Sequence, residues 1–168
     1  MLSGKALVAA VASALGCAAM APAIAATDAP TINEIRAHPF ESKTGRMSSD
    51  LLAGPRTGLW NSYTGPQASS ATLFVVAVQG RPGGAYTGQR DALPRYRLRL
   101  VVTEGPRQRR LLDSQQALPI LGDDGKAFIP FLVTPGGCEA VHISASLIGP
   151  KNQASAPKSA TLAMACGE

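Results

Sequence analysis

Arg95-Tyr96-Arg97-Leu98-Arg99-Leu100-Val101-Val102-Thr103 is the stretch that decides the fold class. Tyr96, Leu98, Leu100 and Val102 alternate with Arg95, Arg97, Arg99 and Val101, and successive side chains of a strand point to opposite faces. The pattern predicts a β-strand over Tyr96 to Thr103 with one buried face and a stripe of arginines on the other.

The same texture recurs on both sides of it. Ala71 to Val78 is an apolar run closed by Gly80, Pro82, Gly83 and Gly84, and short β-branched runs bounded by Gly and Pro read as strands. Ala117 to Leu121 and Ala127 to Thr134 flank Gly122-Asp123-Asp124-Gly125-Lys126, whose glycines and side-chain acceptors suit a tight hairpin turn. Pro119 and Pro130 limit ladder pairing, which predicts edge or bulged strands for these two runs. Glu139 to Ile148 and Ser159 to Cys166 read as the last strands.

Upstream, Leu59-Trp60-Asn61-Ser62-Tyr63 opens the patterned region. Thr27 to Gly58 is weaker: Ile32 and Ile35 are spaced like one helical turn, Met47 to Leu52 like another, and Gly54-Pro55 stops it. This segment is expected to be an extended lead-in with little regular structure. With 17 Gly and 13 Pro in 168 residues, a long coiled coil or helical bundle is disfavoured, and no fixed period suggests a solenoid or propeller. The expectation is an all-β chain: an antiparallel, immunoglobulin-like β-sandwich of about six to eight strands over residues 59–168, after a lead-in over 27–58.

The N-terminus carries an address. Lys5 gives a positive start, Ala6 to Ala21 is apolar, and Ala23-Ile24-Ala25 offers the small alternate residues a signal peptidase accepts. Residues 1–26 therefore read as a cleaved, helical export signal, and the protein as periplasmic or secreted, with no transmembrane span after cleavage. Two alternatives are an uncleaved anchor, which Gly16 and Pro22 disfavour, and lipid attachment at Cys17, where Ala14-Leu15-Gly16 fits the lipoprotein pattern poorly.

Cleavage removes Lys5 and Cys17, lowering 16 basic residues to 15 and the net charge from +5 to +4, and leaving Cys138 and Cys166. Two cysteines in an oxidising compartment predict one disulfide, worth about 3 to 4 kcal/mol for a loop of roughly 30 residues. An antiparallel hairpin that sets Cys138 opposite Cys166 centres its loop at Asn152, within the turn-like stretch Gly149 to Pro157.

Catalytic signatures are sparse. His38 and His142 are the two histidines, too few for a transition-metal site, and Asp123-Asp124 lacks the spacing of a calcium loop. No metal or cofactor is expected. His142 and Ser144 share one strand face, with Asp113 or Glu139 available as an orienting acid, yet residues two apart on a strand sit about 6 to 7 Å apart. There is no Gly-x-Ser-x-Gly elbow and no phosphate loop around Gly83 and Gly84. A carboxylate pair such as Glu104 and Asp113 would be the raw material of a glycosidase.

The unusual feature is arginine. Eight of them (81, 90, 95, 97, 99, 107, 109, 110) stand against Asp91 and Glu104 between residues 81 and 110. Arg95, Arg97 and Arg99 form the stripe, and Arg107, Arg109 and Arg110 follow the Glu104-Gly105-Pro106 turn, which can fold back beside it. Arginine's planar fork suits phosphate, sulfate and carboxylate groups. Exposed strands also carry arginine simply to stay solvated and to deter edge pairing. With few aromatics interleaved, specific nucleic-acid binding is not expected. The sequence favours a non-enzymatic exported sandwich that binds a protein or an anionic envelope polymer, as an accessory or inhibitory module. The alternative is a small secreted hydrolase with a loop-borne site near His142 or an unidentified carboxylate pair. The sequence does not set an oligomeric state.

Overall fold

The computed structural model describes residues 29–54, 69–80, 96–119, 121–134 and 139–163. Its regular elements are β1 (Thr31–Glu41), β2 (Arg46–Met47), β3 (Ser69–Gln79), β4 (Arg97–Glu104), β5 (Arg109–Ala117), β6 (Lys126–Val133), β7 (Val141–Ile148) and β8 (Lys158–Leu162), with a 3-10 turn at Pro150–Asn152. They form two four-stranded antiparallel sheets, ordered β2-β1-β3-β6 and β5-β4-β7-β8. The molecule is a β-sandwich. Its strand order, with β1, β3 and β6 facing β4, β7 and β8, and β5 outside β4, follows the immunoglobulin-like scheme expected from the sequence.

Strict alternation builds the core. Phe74, Val76 and Val78 of β3 and Ile129, Phe131 and Val133 of β6 point inward from the first sheet. Leu98, Leu100 and Val102 of β4 meet them with Val141, Ile143, Ala145 and Leu147 of β7. Each fully buried side chain of this size contributes about 1.5 to 3 kcal/mol, set against the entropy of ordering the chain. Among the described residues β6 is an edge strand, one of the two outcomes expected from Pro130.

Three expectations are corrected. The lead-in contains β1, an 11-residue strand paired along nearly all of β3, and neither Ile32 to Ile35 nor Met47 to Leu52 is helical. Ala117 closes β5, but Leu118, Pro119 and Leu121 are not strand, so the Gly122–Gly125 turn leads into β6 from a non-strand segment that buries Leu118 and Leu121, and β6 pairs with β3 instead. In the final hairpin, Val141 pairs with Leu162, one residue away from Ala163, which a hairpin aligned on the two cysteines requires. The export signal, Cys17, Trp60, Arg95, Cys138 and Cys166 lie outside the described residues.

Candidate functional site

The two outer faces of the sandwich differ in chemistry, and the arginine stripe belongs to the outer face of the second sheet. Leu98, Leu100 and Val102 are fully buried, so the intervening Arg97, Arg99, Val101 and Thr103 face outward. Cross-strand register sets Arg99 beside Gln115 and Ser146, Val101 beside Asp113 and Ser144, and Thr103 beside Arg110 and His142. Ser159 and Thr161 of β8 extend the polar surface next to Ser144 and His142.

The turn after β4 returns the chain beside it as the sequence suggested. Gln108 N donates to Gly105 O at 3.1 Å, and Gly105 (φ +69°) and Gln108 (φ +52°) adopt left-handed backbone. A bulge at Leu111 between the Leu112 and Arg110 pairings reorients the arginines that follow the turn. Arg110 stays on the outer face, whereas Arg109 pairs with Glu104, which points into the sandwich end and is only 2% exposed. Arg107 is exposed in the turn itself. Of the six arginines expected to act together, Arg97, Arg99 and Arg110 share one face and Arg109 is diverted.

Asp113 organises that face. Arg99 donates to it through Nε and Nη2, both at 2.8 Å, and Arg110 Nη1 lies 3.2 Å from the same carboxylate. The Arg99 hydrogen bonds, then the charges of Arg99 and Arg110, hold the Asp113 carboxyl below its ordinary range against partial desolvation, and Asp113 raises the Arg99 guanidinium in turn. Arg97 Nη2 donates to Asn152 Oδ1 at 3.1 Å, an uncharged acceptor. Among the described residues three cations thus meet one anion, and that cluster keeps a net positive charge.

Beside this cluster lies an open groove of about 320 Å³, lined by Thr103, Gln108, His142, Ser144, Ser159 and Thr161 among others. Val101, Ile143 and Ala160 complete the lining, so hydrogen-bonding groups are set in a partly apolar wall. Thr103 donates to Gln108 Oε1 at 2.7 Å, and His142 Nδ1 lies 3.4 Å from Thr161 Oγ1. The catalytic arrangements weighed from the sequence do not assemble here. Among the described residues no hydrogen bond links His142 with Ser144. Asp113 is engaged by two arginines on the far side of β4, and Glu139 packs against Gly105. Glu104 and Asp113 lie on opposite faces of the sheet and cannot flank one substrate bond. No group of three or more His, Cys, Asp or Glu capable of holding a metal occurs among the described residues, and no helix there is long and apolar enough to cross a membrane.

A second groove, about 380 Å³, follows the seam between β1 and β8 and includes Glu34, Asp50 and Lys158. Its polar groups are already engaged. Asp50 Oδ1 accepts from Ala37 N at 2.8 Å and Leu52 N at 3.0 Å, fixing the loop onto the β1 edge, while Lys158 Nζ donates to Asn33 O across the seam. The sequence did not reveal this seam, because it depends on β1 being a strand.

No protein-family model, curated protein or solved structure matches the chain.

Proposed function

We propose that the protein is an exported, non-enzymatic β-sandwich that binds an anionic polymer of the cell envelope through the outer face of its second sheet. The observation that carries this reading is the imbalance at Asp113. Arg99 and Arg110 converge on one carboxylate, and Arg97, two residues along β4, meets an amide oxygen and no carboxylate among the described residues. Arg97 and Arg99 are about 6 to 7 Å apart along the strand, a spacing suited to successive phosphates, sulfates or carboxylates on a flexible chain. The serine and threonine hydroxyls of β7 and β8 add donors without adding negative charge. The interrupted His142 and Ser144 arrangement gives the hydrolase reading no support.

The test is titration of the exported protein with heparin, polyphosphate and lipopolysaccharide. Arg97→Glu combined with Arg110→Glu should lower affinity by at least tenfold with an unchanged far-ultraviolet spectrum, since both guanidinium groups are exposed and neither holds the core. Arg99 is left intact because it fixes Asp113. Unchanged affinity in the double variant, or binding to none of the three probes, overturns the proposal. Binding to an acidic protein but not to the polymers replaces the polymer with a protein partner.

A further inference from the structure

The outer face of the first sheet is apolar along β3 and β6, where that of the second is cationic, and carries Glu34, Arg36 and His38 on β1. Leu132, Phe128 and Met47 are 63%, 51% and 46% exposed, large values for side chains of this kind in a sheet. Cross-strand register arranges the face in rows: Glu34, Ala77 and Phe128; then Arg36, Val75 and Pro130; then His38, Leu73 and Leu132. Phe40 and Met47 continue it at the far end. The Arg36 guanidinium reaches over the Phe128 ring, 5.3 Å from its centroid, so its stem spans the face and adds to the apolar cover.

We infer that this face is a self-association surface whose occupant is the same face of a second copy. Charge placement favours that occupant. Glu34 on β1, ion-paired with Arg36 of its own strand, and Lys126 on β6, 3.7 Å from Asp124, each keep about two fifths of their side chain open to a second partner; they stand at the same end of the face but on opposite sides of β3, because Lys126 pairs with Gln79 and Glu34 with Ala77. A two-fold axis parallel to β3 lays β1 of each copy on β6 of the other. It brings Glu34 towards Lys126 twice and lays the Val75 and Leu73 rows on their counterparts. An anionic lipid surface would call for one sign of charge around the patch, but Glu34 and Lys126 provide both. Edge-to-edge pairing through β6 is opposed by Pro130, which supplies no N–H to a ladder, so contact is made through the face rather than the edge.

The size also suits this occupant. Three strands about 4.8 Å apart and some seven residues long present roughly 15 by 25 Å in plan, or about 500 to 600 Å² per copy with side-chain relief. The total of about 1,000 to 1,200 Å² lies at the lower bound of a specific interface.

Light scattering of the exported protein from about 1 to 200 μM should show the mass rising from one copy to two. Leu132→Glu should move the midpoint at least tenfold higher in concentration with an unchanged far-ultraviolet spectrum. Lys126→Glu alone should weaken the dimer, and adding Glu34→Lys should recover it, a rescue that a merely structural role would not give. This charge exchange keeps the inference testable should Leu132→Glu unfold. A one-copy mass throughout overturns the inference, as does a dimer indifferent to Leu132→Glu and to the charge exchange. So does a protein that stays monomeric and binds anionic phospholipid vesicles through Leu132, which would make a lipid surface the occupant.

Discussion

Asp113 carries more of the second sheet's outer face than any other single residue, because it determines which arginines remain available. Its carboxyl is held low chiefly by the Arg99 hydrogen bonds, so its contribution to stability is fully present above the unfolded carboxyl value of about 4 and is lost as pH falls through the lower folded value. The raised Arg99 works in the opposite sense: its share is present below the unfolded guanidinium value and is lost only in strong alkali. An NMR titration of the Asp113 carboxyl carbon should therefore show a midpoint below the ordinary aspartate range, and Arg99→Gln should return it upward. A midpoint unchanged by Arg99→Gln would mean that the pair is not formed in solution. Sequence alone showed the cluster of positive charge but not this sharing, since the Arg99 and Asp113 contact spans 14 residues and depends on the register of β4 with β5. Nor did it show that Glu104, two residues beyond Val102 on the inward phase, carries a carboxylate into the sandwich end. There one oxygen meets Arg109 and Oε1 has no partner among the described residues.

Among the elements, β4, β6 and β7 were legible because their inward positions hold large apolar residues at strict period two, a pattern that only a half-buried strand satisfies. β1 was not legible, for a reason visible in its register. The ladder slips between Ile32 and Glu34, so Asn33 is an extra residue, and Ile32 and Ile35 come to be spaced like a helical turn. Its remaining inward residues, Ala37 and Pro39, are small or lack an N–H and give little strand signal. β5 was missed because an edge strand needs less apolar surface. Its inward side holds Leu112 but then Ser114 and Gln116, and Gln116 Nε2 donates to Pro130 O at 3.1 Å, tying the two sheets together through polarity. The β4–β5 turn is the joint on which the arginine face depends. Gly105 sits at φ +69°, and a Cβ there would collide with the end of the Glu139 side chain. Gly105→Ala should cost about 1 to 2 kcal/mol from the left-handed backbone alone, read as a lower urea midpoint at constant slope. Because the Glu139 side chain is flexible and exposed, adding Glu139→Ala should recover little of that loss. Full recovery would identify crowding, not backbone, as the cause.

At the scale of the whole molecule, the sandwich places its two surfaces back to back, with a cationic hydrogen-bonding face on one sheet and an apolar face on the other, separated by a single core layer about 10 Å thick. If the apolar faces join two copies, the cationic faces point away from each other, and one dimer can hold two segments of an anionic polymer. Attachment to the first raises the effective concentration for the second. The two associations should then respond oppositely to a salt that both screens charge and is excluded from apolar surface. Sodium sulfate raised from about 0.05 to 0.5 M shortens the Debye length and strengthens apolar burial. The heparin complex should dissociate over this range, because Arg97, Arg99 and Arg110 act through exposed charge. The two-copy species should persist or grow at fixed protein concentration, since screening weakens only the Glu34 and Lys126 attraction while the salt strengthens burial of Phe128, Leu132, Val75 and Leu73. Analytical ultracentrifugation with labelled heparin reads both species in one sample. Loss of both together would show that the arginine face also carries the self-association, and the assignment of separate tasks to the two sheets would fail.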